Sequence, residues 1–380
     1  MFGLYESAFG ALTWGNIVML LIGGLLIYLG IARKMEALLL VPIGFGVLLI
    51  NLPLGGLMEI GANGEPVGLL AWVFRGGITT ELIPAFIFLG LGAMTDFGPL
   101  IANPKTLILG AGAQFGVFFA LIIALLLGSA FPDLKIGIEE AAAIGIIGGA
   151  DGPTAIFTAN ELAPDLIGVI AVSAYTYMAL VPIILPPVIR LLTSKEERAI
   201  YMKPQMRKVS KREKLLFPII GAMFIILLVP RSAPLIGMFM FGNLLVVSGV
   251  TDRLADTAAN AFMNILTILL GLSIGAFMNA ESFLQVESLV ILGLGVVAFA
   301  ASAAAGVLLA KLMNLFIKEK INPMIGAAGL SAVPMASRVV QKMGQQANPR
   351  NFLLMHAMGP NVAGVIGTAT AAGVFLGILG

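Results

Sequence analysis

Apolar runs of about 20 residues recur along the whole of this 380-residue chain, and each is long enough to cross a bilayer core of roughly 30 Å. Charged residues make up only 11% of the sequence, against about 25% in soluble domains, and mean hydropathy is +1.03. A transmembrane barrel would show short alternating segments. These runs are continuous, so the expected fold is an all-α polytopic membrane protein. The clearest spans are 14–32, 38–52, 82–94, 106–130, 166–189, 215–229, 235–250, 262–278 and 289–316. The 46 glycines suit a bundle in lipid, where small residues let helix backbones approach.

Composition removes several chemistries. There is no cysteine, hence no disulfide, thiolate metal site or cysteine nucleophile. His356 is the one histidine, which excludes a histidine metal cluster. A net charge of +2 says little about partners; no nucleic acid is expected among them. The opening "MFGLYESAFG" lacks a basic n-region, so no cleavable signal peptide is expected.

The positive charges are local. The stretch Arg190 to Lys214, "RLLTSKEERAIYMKPQMRKVSKREK", carries nine Lys/Arg against three Glu. The bias of basic residues towards cytoplasmic loops places linker 191–214 in the cytoplasm. It also divides the chain nearly in half.

The halves are related. "IGIIGGADGPTA" from Ile144 and "IGAAGLSAVPMA" from Ile325 share the frame I-G-x-x-G-x-x-x-x-P-x-A at an offset of 181 residues. "LILGAG" at 107 and "VILGLG" at 290, "FLGLG" at 88 and "LLGLS" at 269, and "LLVPIG" at 39 and "LLFPII" at 215 follow in the same order at offsets of 183, 181 and 176. An internal duplication is expected: an N-terminal span (1–36), a first repeat (37–190), the linker, and a second repeat (215–380). Arg33 and Lys34, after the first span, favour a cytoplasmic position there and hence parallel repeats.

Both halves break at matching places, near 145–155 and 326–338. Gly149, Gly152 and Pro153 cannot sit in an ordinary helix interior, because proline lacks the donor and glycine costs about 1 kcal/mol against alanine. Gly326 and Pro334 break the second segment. At membrane depth, irregular backbone survives only when buried in protein or lining a cavity. Paired interruptions of this kind mark the binding sites of transporters. Asp151 adds a fixed negative charge to the first break, an ion or proton site by the logic of intramembrane carboxylates. The alternative is an aspartate capping a helix at the membrane surface. Ser331, Arg338, Asn322 and Asn361 are polar candidates in or beside the second break. Arg338 is alternatively an interfacial anchor, and Tyr177 an interfacial aromatic. Lys342 and His356 read as surface groups, Glu139 and Glu140 as a solvated helix start, and the methionines as core filler.

At these residues the chain resembles the β subunit of the sodium-translocating, biotin-dependent decarboxylases. "GGADGPTAIF", "AYTYMALVPIILPPVIRLLTSKEER", "NPMIGAAGLSAVPMASRVVQK" and "ANPRNFLLMHAMGPNVAGVIG" carry the resemblance over nearly the whole length. It implies a subunit that decarboxylates carboxybiotin held by a partner, couples this to outward Na+ pumping and consumes a proton. It implies Na+ ligation by Asp151, Asn322, Ser331 and Asn361, carboxybiotin at Arg338, and proton coupling through Tyr177, Ser331 and Asp151. It also implies inverted repeats, which displaces the parallel arrangement, and a homotrimer. The partners would be a carboxyltransferase, a biotin carrier and a small membrane-anchored subunit, in a bacterial inner membrane. Biotin itself is expected on another chain, since the one Met-Lys pair lies in "YMKPQ" rather than in a Met-Lys-Met turn. The competing function is a secondary transporter, either a Na+/H+ antiporter or a Na+-coupled carboxylate symporter.

Overall fold

The computed structural model describes residues 7–203 and 207–380. The end of the "YMKPQ" stretch and the first six residues, with the start of the "MFGLYESAFG" segment, lie outside them.

The described residues are helical throughout, apart from turns and one isolated bridge between Ile60 and Pro66. In chain order the α-helices are α1 (Trp14–Ala32), α2 (Ala37–Ile50), α3 (Leu69–Val73), α4 (Leu82–Met94), α5 (Gly98–Ala102), α6 (Thr106–Ala113), α7 (Phe115–Ala130), α8 (Ile138–Ile146), α9 (Gly152–Leu162) and α10 (Ile167–Leu192). After the short α11 (Lys195–Arg198) come α12 (Lys211–Leu228), α13 (Ala233–Ser248), α14 (Asp252–Thr257), α15 (Met263–Phe277), α16 (Ala280–Phe283), α17 (Val286–Phe316), α18 (Met335–Ala347) and α19 (Leu354–Leu379).

Seven helical stretches are long and apolar enough to cross a membrane; an eighth arises if Leu69–Thr79 and Leu82–Met94, bent by 65°, count as one. The chain is a multi-pass membrane protein. Two of these stretches go beyond the sequence expectation. Leu354–Leu379 carries Gly359 and Pro360 and is nonetheless one continuous helix. Leu69–Thr79 ends in a π-helical stretch, Phe74–Thr79, before Glu81 turns left-handed at φ 63°.

The linker marks one end of the bundle. Lys214 Nζ reaches Asp96 after α4 at 3.4 Å, and Arg207 donates to the Ile101 carbonyl at 3.1 Å. Asn322 donates to the carbonyls of Arg198 (2.8 Å) and Ile200 (3.0 Å), and Asn348 to that of Ala199 (3.4 Å). Both ends of the second broken segment therefore lie at the linker end. His356, expected at the surface, is buried there, with a ring nitrogen 2.9 Å from the Lys203 carbonyl; the folded-back linker covers it. At the other end, Asn51 after α2 donates to the Met278 carbonyl at 2.7 Å and accepts from the Ala280 N–H at 2.9 Å.

Packing is reciprocal between the halves. α2 lies along α15 while α13 lies along α4, and α10 lies along α17 while α19 lies along α6. Glycine makes the first two contacts possible. A Cβ on Gly46 or Gly275 would meet the Leu272 or Ile43 carbonyl at 2.5 or 2.2 Å; one on Gly92 or Gly242 would meet the Phe239 or Leu89 carbonyl at 1.9 or 2.0 Å. Backbone touches backbone at both crossings, which only glycine permits.

Candidate functional site

The two broken segments meet at their tips. The first runs through α8, a single 3-10 turn (Ile147–Gly149), Ala150 in the left-handed region at φ 57°, and Asp151 at φ −127°, before α9 starts at Gly152. A non-glycine residue held left-handed is strained and persists only where its surroundings fix it; Ala150 is fully buried. The second runs through a 3-10 helix, Pro323–Gly329, into Leu330, Ser331 and a cis Val333–Pro334 bond before α18.

Asp151 sits at the junction. Its Oδ1 accepts from the Thr154 N–H at 3.2 Å, the N-cap bond of α9. Its Oδ2 accepts from the Ser331 hydroxyl at 2.6 Å. The Ser331 N–H donates to the Gly149 carbonyl at 2.9 Å, so side chain and backbone both stitch the breaks together. Asp151 is only 3% exposed. It is a helix cap, as one alternative held, but a buried one.

Further hydroxyls and amides satisfy the backbone that the breaks free. Ser302 of α17 donates to the Gly148 carbonyl at 2.6 Å. Asn361 of α19 donates to the Leu330 carbonyl, and its Oδ1 accepts from Ser337 at 3.1 Å. Gln114 joins the Gly364 carbonyl (3.2 Å) and Thr368 (3.1 Å). Backbone shapes the rest. A Cβ on Gly326 would lie 2.0 Å from the Gly306 carbonyl, and one on Gly152 would lie 2.3 Å from the Tyr175 ring.

A cavity of about 50 Å³ opens beside the pair, lined by Asp151, Pro153, Ser331, Tyr175 and Thr267 among apolar neighbours. The Tyr175 hydroxyl and Thr154 Oγ1 are buried without a hydrogen-bond partner among the described residues.

Asp151, Ser331 and Asn361 are thus brought into one network with Gly149. Other expected residues are placed elsewhere. Tyr177 is buried, and its hydroxyl donates to the Leu292 carbonyl of α17; Tyr175, two residues earlier and so on another face of α10, is the one that lines the cavity. Asn322 caps the 3-10 helix and holds the linker. Arg338 is exposed, in the first turns of α18, and acts on Glu36: burial pushes that carboxyl up, and the Arg338 charge pulls it down. Tyr175, Thr154, Ser302 and Ser337 were not singled out from sequence. Thr154 stood in the quoted "GGADGPTA" motif, whereas Ser302 in "AFAASAAAG" differs little from its small neighbours.

The family model of the Na+-transporting oxaloacetate decarboxylase beta subunit matches residues 15–379. The chain belongs to this family. It is 54% identical over 394 residues to the methylmalonyl-CoA decarboxylase subunit beta of Propionigenium modestum, covering 99% of this chain and 98% of the relative. It is 56% identical over 377 residues to the glutaconyl-CoA decarboxylase subunit beta of Acidaminococcus fermentans, covering 99% and 96%. It is 51% identical over 411 residues to the oxaloacetate decarboxylase beta chain of Klebsiella pneumoniae, covering 95% and 94%. Membership assigns a decarboxylase-translocase role to this bundle. Relatives named for three different substrates, two acyl-CoAs and one oxo acid, match it about equally, so likeness does not choose among those substrates.

Proposed function

We propose that this subunit decarboxylates carboxybiotin delivered by a partner carrier, moves Na+ outward and takes up a proton, with Asp151 as the shared ion and proton site. The observation that carries this is the Asp151–Ser331 bond, which places a buried carboxylate where two broken segments meet. Na+ prefers oxygen donors. The Asp151 carboxylate and the Ser331, Tyr175 and Thr267 hydroxyls supply an oxygen set at a cavity large enough for a small ion, since a single water needs about 10–15 Å³. Asn361 positions the second break through the Leu330 carbonyl, and Asn322 positions the same segment from its linker end.

Carboxybiotin supplies a carbamate: loss of CO2 leaves the C–N electron pair on a ureido nitrogen, which takes a proton. Arg338 offers a planar fork to the carboxylate. Ser331 lies between Asp151 and the segment that leads to α18, and can relay a proton. Asp151 holds either Na+ or that proton, so proton entry expels the ion.

The inverted-repeat reading is supported by a count. With the shorter apolar helix α2 and the helix α12 counted beside the eight stretches above, each half supplies five crossings: α1, α2, α3–α4, α6–α7 and α10, then α12, α13, α14–α15, α17 and α19. With the broken segments turning back, five is odd, and the halves run in opposite senses. Reciprocal packing supports the same reading. It pairs α2 with α13, starts the first half at α1 and sets aside the match between 39–44 and 215–220. Arg33 and Lys34 then sit at the cytoplasmic, linker end without requiring parallel repeats. The biotin carrier and carboxyltransferase would approach from that end, in an assembly with the small anchored subunit and two further copies of this chain, in a bacterial inner membrane.

The test is CO2 release and 22Na+ uptake followed together in proteoliposomes that hold this subunit with its partners. Native vesicles are expected to couple the two, and Asp151→Asn to lose both. Na+ movement down an imposed proton or carboxylate gradient, without carboxybiotin, would instead make the chain a secondary transporter. The Na+ half-saturation concentration is expected to rise as pH falls, by at most about tenfold per pH unit for one-for-one competition. A flat profile would remove the shared site.

A further inference from the structure

At the linker end a cleft of about 340 Å³ opens between the end of α10, α11 and the end of α18. It is lined by Arg190, Lys195, Arg198, Met343, Gln346 and Ala347. Every charged residue in that lining is a cation. Arg190 and Lys195 make no ion pair among the described residues. The Arg198 guanidinium is held in place, donating to the Thr193 carbonyl and, at 3.2 Å, to the Thr193 hydroxyl. Glu197, one residue before it, is turned away, with Lys311 Nζ at 3.0 Å and the Ser194 N–H at 2.8 Å.

We propose that this cleft is an anion-receiving site that takes the carboxylate of the incoming carboxybiotin arm before it reaches Arg338. The inference rests on the functional reading above.

Three arguments carry it. Three cations gathered in one concave lining raise the local concentration of an anion and its rate of arrival. Two of them are arginines, whose planar forks match a carboxylate. The far wall is α18, the helix that also carries Arg338; Met343 lies five residues on, about 7.5 Å along the axis and about 140° round it, so an anion released from the cleft reaches Arg338 by passing round the same helix. A phospholipid is the less fitting occupant, because Met343 and Ala347 are the only apolar groups in the lining and leave no groove for an acyl chain.

The experiment uses the complete subunit in nanodiscs of zwitterionic lipid, with N-carboxybiotin methyl ester as substrate and neutral N-methoxycarbonylbiotin methyl ester as a competitor. Turnover by the native chain reports on the function itself; the ratio of variant to native reports on the cleft. Arg190→Gln and Lys195→Gln are each expected to raise KM for the anionic substrate about threefold to tenfold, leaving kcat and Na+ half-saturation unchanged. Arg190→Glu is expected to raise it further. Inhibition by the neutral competitor is expected to be the same in all of them, and the fall of kcat/KM with added salt shallower in the variants. Unchanged KM in Arg190→Glu, or a loss confined to kcat, would overturn the proposal. So would variants that match the native chain in zwitterionic discs and differ only when anionic lipid is added, since the cleft would then hold a headgroup.

Discussion

The two broken segments share one sequence frame and solve the same problem differently. The first, from α8 to α9, is buried along nearly all its length. It stores its irregularity in one left-handed alanine and places a carboxylate immediately after it. The second, from the 3-10 helix to α18, has an extended tip, carries a hydroxyl rather than a charge, and exposes Arg338 and Lys342 on α18. Both are packed backbone to backbone, the first against α7 and the second against α17, and the second is held in addition by asparagine amides that grip the linker. Two copies of a frame need not carry two copies of a site: one holds the charge, and the other hydrogen-bonds it and reaches the end where the charged linker lies.

The sharpest way to break that comparison is to move the carboxylate across it. Ala332 is the frame counterpart of Asp151, 181 residues on. In Asp151→Ala with Ala332→Asp, coupled Na+ uptake is expected to stay more than about a hundredfold down, beyond the cost of losing a supporting group at an ion site. Recovery to near-native uptake in proteoliposomes would make the halves interchangeable.

Ser331→Ala tests the bond to Asp151 and should raise the Na+ half-saturation concentration about tenfold to a hundredfold. An unchanged value in a 22Na+ titration would reduce Ser331 to packing.

The closer backbone contact of the second break predicts a stability asymmetry. Gly326→Ala puts a methyl 2.0 Å from the Gly306 carbonyl, against 2.9 Å from the Val117 carbonyl for Gly145→Ala at the matching frame position. The first is expected to cost about 1–3 kcal/mol by overpacking and the second less. Thermal unfolding of both variants in detergent ranks them, and the reverse order would contradict the contacts.

The smallest effect belongs to the linker grip. Burial by itself would raise the Glu197 carboxyl, but the Ser194 N–H and Lys311 hold it below its ordinary value of 4.5. A carboxyl lowered in the folded state stabilises above its unfolded value and loses that contribution as pH falls through its folded value. Glu197→Gln should therefore cost less than about 1 kcal/mol at neutral pH, and the gap should close as pH falls through the carboxyl's folded value, which lies below its ordinary one. A gap that persists there would mean that the side chain acts through shape rather than charge.

Much of this was legible in the sequence. Hydropathy and charge gave the membrane class and the linker, because the bilayer imposes span length and loop charge on each segment separately. The frame I-G-x-x-G-x-x-x-x-P-x-A located both breaks, and the long motifs carried the family. Less local features were not legible. The C-terminal helix, absent from the spans read in sequence, runs on through Gly359 and Pro360 with neighbouring helices packed along it. Tyr175 and Tyr177 are equally plausible in "AYTYMA", and only the rotation of α10 turns the first towards the cavity. Asn322 reads as an ion ligand by its place in a motif, while its amide donates to two linker carbonyls. Sequence by itself settled what each segment is and where its backbone must break, since those are short-range consequences of side-chain polarity, glycine and proline. Tertiary structure alone decided that Ser331 meets Asp151 across 180 residues and Ser302 meets Gly148 across 154, because a buried polar group is satisfied by whatever the packing brings within 3 Å, and no local pattern records that partner.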